Sequence, residues 1–167
     1  MARTYLIDGH NLIGQGVIPG IHLDMEDDEM QLTAWLRARK SYLPGKMVVI
    51  FDGGVPGGAS NELTGGGVTA IFAAQKRSSA DELIRRRTFT SGSPKSLIVV
   101  TNDIGLRRSL RAAGVKIIGA REFVALIEQN KRKIAEARVR SQKEKPRLSQ
   151  QELKEWMEMF GVGRDGD

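Results

Sequence analysis

Short, β-rich apolar runs alternate along this chain with helical patterns, and several of the runs end in an aspartate. TYLI (Thr4 to Ile7) leads into Asp8, and MVVIF (Met47 to Phe51) leads into Asp52. VTAIF (Val68 to Phe72), SLIVV (Ser96 to Val100) and VKII (Val115 to Ile118) complete the set, with Thr101-Asn102-Asp103 following SLIVV. Between them, EMQLTAWLRARKSYL keeps Leu32, Trp35, Leu36 and Leu43 at helical spacing until Pro44 and Gly45 stop it. SSADELIRRR opens a helix with Ser79 as N-cap and Glu82 three residues on. IGLRRSLRAAG closes on Gly114, and REFVALIEQN carries Phe123, Leu126 and Ile127. Such alternation predicts an α/β fold with a mostly parallel central sheet and helices on both faces. GGVPGGASNELTGGG, between the second and third runs, holds too much glycine for a helix and reads as a mobile loop.

In an open parallel sheet, ligands bind beyond the carboxyl ends of the strands, near the switch in strand order. Asp8 and Asp52 end strands there, Asp103 lies just past another, and Asp81 occupies the first turn of a following helix. Each acid has a plain structural reading. Asp8, Asp52 and Asp103 suit turns, and Asp81 suits a helix N-terminus. Convergence on one edge is what would set them apart, because like charges held together raise carboxylate pKa values until something positive offsets them. The chain has no cysteine and two histidines, so the donors would be oxygen and the natural counter-ion Mg²⁺ or Mn²⁺. Asn11 and Asn102 offer amide oxygens beside these acids, and Thr101 a supporting hydroxyl. His10 reads as a hydrogen-bonding loop residue, His22 as a surface one, and the acidic run DMEDDE as negative charge favoured at a helix start.

A formal charge of +6 leans toward an anionic partner, with nucleic acid first. Arg85, Arg86, Arg107 and Arg108 fall near the acidic edge, where they would meet phosphate. Lys131, Arg132 and Lys133 begin a basic segment, NKRKIAEARVRSQKEKPR, that suits RNA contact or a charged linker. LSQQELKEWMEMFG follows, with a capping box at Ser149 and Glu152 and an apolar stripe of Leu153, Trp156, Met157 and Phe160. Trp35 and Trp156 are both expected in the core. No apolar run reaches bilayer length and no signal-peptide core opens the chain, so the expectation is a cytoplasmic protein without a membrane partner. The glycine patterns of dinucleotide-binding and P-loop enzymes follow none of the strands.

DGHNLI, VVIFDGG, SSADELI and VVTND, in this order and over residues 4 to 127, resemble the YacP-like branch of the NYN domains, in the PIN-like ribonuclease superfamily. The resemblance implies a PIN-like three-layer α/β/α fold, with a nuclease domain at 1–127 and a basic linker and amphipathic helix at 128–167. It implies metal-dependent endoribonuclease activity on RNA phosphodiester bonds and, in one subgroup, cleavage of messenger RNA on the ribosome. By motif, Asp8, Asp81 and Asp103 match the metal-binding acids and Asn11 the accompanying amide. Asp52 matches an acid common at its strand end. The glycine-rich loop after Asp52 departs from the more charged loops of relatives. A competing reading is a catalytically silent RNA- or ribosome-binding module.

Overall fold

A computed structural model describes residues 2–53, 57–73, 79–144 and 148–161. Its elements begin with β1 (Thr4–Asp8), α1 (Gly9–Gly14), α2 (Asp28–Arg39), β2 (Lys46–Phe51), β3 (Gly58–Ala59) and β4 (Val68–Phe72). They continue with α3 (Ala80–Phe89), β5 (Leu97–Val100), α4 (Ile104–Leu110), β6 (Lys116–Ile118), α5 (Ala120–Glu144) and α6 (Gln150–Met159). The chain divides into a first unit, Met1–Lys131, and a second, Arg132–Asp167.

In the first unit, six strands form one sheet in the order β3-β4-β2-β1-β5-β6. All neighbours are parallel except β3, which runs antiparallel to β4. Pleating sends alternate residues to opposite faces, and two apolar clusters result. Tyr5, Ile7, Met47, Val49, Ile98 and Val100 pack with Leu12, Leu32, Leu36, Phe123 and Ile127, so α1, α2 and α5 cover one face. Leu6, Ile50, Ile71 and Val99 pack with Ala80, Ile84, Leu106 and Leu110, so α3 and α4 cover the other. The expected three layers are present. The chain builds outward from β1 to β2 and β4, then returns to add β5 on the other side of β1. The switch in strand order therefore falls between β1 and β5, the two strands that deliver Asp8 and Thr101-Asn102-Asp103.

The glycine-rich segment differs from expectation over its described part. Gly58 and Ala59 pair with β4, and the Ser60 N–H donates to the Ala70 carbonyl at 2.9 Å. Side chains hold the turn that follows. Ser60 Oγ accepts from the Leu63 N–H, Thr64 Oγ1 from the Ala70 N–H, and the Arg37 guanidinium donates to the Leu63 and Gly65 carbonyls. Its glycines serve tight turns, with Gly66 and Gly67 at φ of 56° and 82°. Residues 54–56 of that segment lie outside the described part.

In the second unit, Ser149 and Glu152 close the expected capping box at the start of α6. Trp156 is a correction: it is 48 % exposed, as are most of its stripe neighbours, and its ring contacts Phe160 at 4.8 Å between centroids. A helix of this length presents its stripe to a core only if another apolar face meets it, and helical spacing alone cannot supply one. Trp35, in the first unit, is partly buried against the core with the Arg39 guanidinium 4.2 Å over its ring.

Candidate metal and active site

Asp8 ends the central strand and begins α1, yet its carboxylate makes no capping bond to that helix. Only 5 % of the residue is exposed. Its hydrogen-bond donor is the Thr101 hydroxyl, 3.1 Å from Oδ2. The same Thr101 oxygen accepts the Asp103 N–H at 3.1 Å, so one buried hydroxyl ties the ends of β1 and β5 together. Gly9 is dictated by packing. A Cβ there would stand 2.4 Å from the Phe51 ring, so only glycine lets α1 start directly over the end of β2. The D-G pair thus combines an acid that caps no helix and a glycine that the neighbouring strand requires.

The other acids converge on Asp8. Burial pushes the Asp8 carboxyl up to about 6; the Thr101 bond opposes this, and the fields of Asp81, Asp52 and Asp103 add to it. Asp81 is raised too, by burial first and then by Asp103, with Arg85 opposing and Asp52 reinforcing. Asp103 has a second task, since its Oδ1 accepts the Leu106 N–H at 2.7 Å and caps α4. Asp52, exposed, accepts the Ala80 N–H at 2.7 Å. Asn11 Oδ1 accepts the Asn102 N–H at 2.8 Å, and Asn102 Oδ1 accepts the Ala120 N–H at 2.7 Å. These two amides join α1, the β5–α4 loop and the start of α5 into one edge.

The donors around Asp8 are carboxylate oxygens, the ligand chemistry of Mg²⁺ or Mn²⁺. Among the described residues, the only His/Asp/Glu trio whose ligand atoms all lie within 4.8 Å of one another is a different one, His10, Asp28 and Glu29. The Asp8 carboxylates are related instead by the fields they exert on one another. Of the expected phosphate contacts, Arg85 is already engaged, with Nε donating to Ser109 Oγ at 2.8 Å and a terminal nitrogen 3.6 Å from Asp81. Arg86 and Arg108 are exposed and Arg107 half-buried. Lys131 ends the first unit and Arg132 and Lys133 begin the second, all exposed.

Sequence reasoning missed the His10 trio. His10 lies in α1, its ring against Phe51, with Nε2 3.2 Å from Glu29 Oε1 and 3.9 Å from Asp28 Oδ2. Its Nδ1 accepts the Asp52 N–H at 3.3 Å. The tautomer that satisfies both contacts has its lone pair on Nδ1 and its proton on Nε2, which then donates to Glu29. A metal on Nε2 would require the opposite tautomer and set two N–H groups against each other. The acidic run preceding α2 was the available signal, and nothing in its spacing pointed to His10.

The sequence profile of the YacP-like NYN domain matches residues 5–161. Two solved structures resemble the chain: a point mutant of Rae1 (YacP) from Bacillus subtilis and Rae1 (YacP) itself. The mutant is 23 % identical, covers 91 % of each chain and has a TM-score of 0.63. Rae1 itself is 24 % identical, covers 100 % of this chain and 97 % of its own, and has a TM-score of 0.60. Among curated proteins, none matches the sequence significantly. No helix among the described residues is long and apolar enough to cross a membrane.

Proposed function

Since the chain belongs to the YacP-like NYN domain family, a family of nuclease-type PIN-like fold, we propose that it is a cytoplasmic, metal-dependent endoribonuclease that hydrolyses RNA phosphodiester bonds. The observation that carries this reading is Asp8. It is a buried acid at the switch in strand order that caps nothing and lies in the field of three other carboxylates. A fold keeps such a group against its own electrostatic cost when the charge has work to do.

In this reading Asp8, Asp81 and Asp103 hold Mg²⁺ or Mn²⁺, and Asp52 acts on Asp8 and Asp81 through its field. When bound, the ion offsets the negative charge that develops around phosphorus and favours attack by water. Thr101 keeps the Asp8 carboxylate aimed out of the strand end, and its bond to the Asp103 N–H holds the second strand end in register. Asn11 and Asn102 fix the loop that carries Asp103. Arg107 and Arg108, with Arg85 and Arg86, supply positive charge for the RNA backbone. Water adds to phosphorus as the bond to the 3′-oxygen breaks, leaving 5′-phosphate and 3′-hydroxyl ends. Residues 1–127 carry the chemistry, and 128–167, with Lys131, Arg132 and Lys133 near its start, form a basic arm for RNA, including RNA on the ribosome.

The test is single-stranded RNA incubated with the protein and Mn²⁺, beside Asp8→Asn. Cleavage by wild type that chelation abolishes and Asp8→Asn lacks supports the proposal. Undiminished cleavage by Asp8→Asn contradicts the site. Salt-sensitive RNA binding with no cleavage under any divalent ion favours the silent binding module instead.

A further inference from the structure

The end of β2 is tied to α3 in a way that metal binding does not require. The Asp52 carboxylate accepts the Ala80 N–H at 2.7 Å, across 28 positions of sequence. Ala80 is the first residue of α3, and its N–H is one of the amides that a helix start leaves without an internal acceptor. Ser79 Oγ satisfies another, accepting the Glu82 N–H at 3.2 Å. One cap is local; the other comes from a different strand. Asp81 is the next residue along, so whatever fixes the Ala80 N–H fixes the turn from which Asp81 meets Asp8 and Asp103.

Asp52 is itself held from the opposite side. Its N–H donates to His10 Nδ1 at 3.3 Å, and His10 Nε2–H reaches Glu29 Oε1 at 3.2 Å. A continuous chain of bonds thus runs from α2 through α1 and the end of β2 to the start of α3. We propose that Asp52 is a positioning residue, which fixes the N-terminus of α3 and thereby presents Asp81 to the acidic edge, and that it is not a metal ligand. This rests on the nuclease reading for its consequence in catalysis. Accepting one N–H requires an oxygen at the Oδ1 position and no charge. A carboxylate that ligates a hard cation contributes charge as well as an oxygen, so an amide in its place weakens the hold on the ion.

Asparagine and alanine at position 52 therefore separate the two roles, and the position is exposed enough for both to fold. RNA cleavage across a Mn²⁺ titration is compared for wild type, Asp52→Asn, Asp52→Ala and Asp8→Asn, together with amide hydrogen exchange at Ala80 and Asp81. Asp52→Asn should keep both kcat and the Mn²⁺ concentration for half-maximal rate within about threefold and keep the exchange protection, whereas a shift of that concentration beyond about tenfold overturns the proposal. Asp52→Ala should lose about tenfold to a hundredfold in kcat, the scale of a small misplacement, and should exchange faster at Ala80. Asp52→Asn as inactive as Asp8→Asn overturns the proposal, as does Ala80 exchange unchanged in Asp52→Ala. Absence of cleavage by wild type would instead sink the nuclease reading, and the exchange measurement would still decide the tether.

Discussion

Two groups of acids occupy neighbouring elements of the first unit, and they resolve their charge differently. Asp28 and Glu29, in the first turn of α2, come with a partner, because His10 places an N–H against Glu29 and stands near Asp28. Asp8, Asp52, Asp81 and Asp103 share one cation among the described ion pairs, Arg85 on Asp81, and none on Asp8. Only one residue, Gly9, separates His10 from Asp8, so the contrast is not one of location. The ligand atoms of the trio lie within 4.8 Å of one another. Burial pushes the Asp28 carboxyl up to about 6, although His10, which donates to Glu29, opposes the rise. The Asp8 group gathers four carboxylates at the switch in strand order with no described cation paired to Asp8, and that placement is the better pointer to function.

The sharpest way to break that contrast is Asp8→Asn. Cleavage should fall by about a thousandfold or more if the acid supports the ion that stabilises the transition state. The metal-free protein should become more stable at pH 7 at the same time, because the amide still accepts from Thr101 and carries no charge. An inactive variant that is also less stable would mean that Asp8 serves the fold.

The pH dependence follows from the same residue. A carboxyl held at about 6 in the fold, against 3.8 unfolded, binds more protons folded than unfolded between those values. Stability of the metal-free protein should therefore fall as pH rises from about 4 to about 6, by up to about 3 kcal/mol from Asp8. Urea denaturation across that range measures it. Asp28, which burial also pushes up to about 6, contributes a like part of the slope. Mg²⁺ or Mn²⁺ should cancel the Asp8 share of the loss, and Asp8→Asn should remove that share while leaving the share of Asp28.

Smaller effects belong to packing and to the trio. Gly9→Ala should cost about 1–3 kcal/mol, since its Cβ would displace the Phe51 ring. Glu29→Ala should cost about 1 kcal/mol, as expected of a partly exposed pair, and leave kcat within about threefold. Thermal denaturation and steady-state kinetics check both, and a Glu29→Ala loss rivalling that of Asp8→Asn would reverse the ranking of the two groups.

Much of this was legible in the sequence because strand-end acids and parallel-sheet topology are linked by a general rule. Asp8, Asp81 and Asp103 could be assigned to one edge once the strands were read, and the apolar runs were unambiguous. What stayed hidden depended on partners distant in sequence. The antiparallel pairing of Gly58 and Ala59 is settled by β4 and by Arg37. The exposure of Trp156 is a property of packing partners, which a periodic stripe cannot report. The dual use of Asp52 and the tautomer of His10 follow from hydrogen bonds spanning 28 and 42 positions. No local spacing encodes those.

The most direct test is a Mn²⁺ titration of thermal stability at pH 7 on wild type, Asp8→Asn and Glu29→Ala. An ion bound to the folded state alone raises the midpoint in proportion to its affinity. Wild type and Glu29→Ala should rise together with Mn²⁺, while Asp8→Asn should stay flat. A rise that survives in Asp8→Asn and vanishes in Glu29→Ala would place the ion on the histidine side and contradict the assignment of the acidic edge.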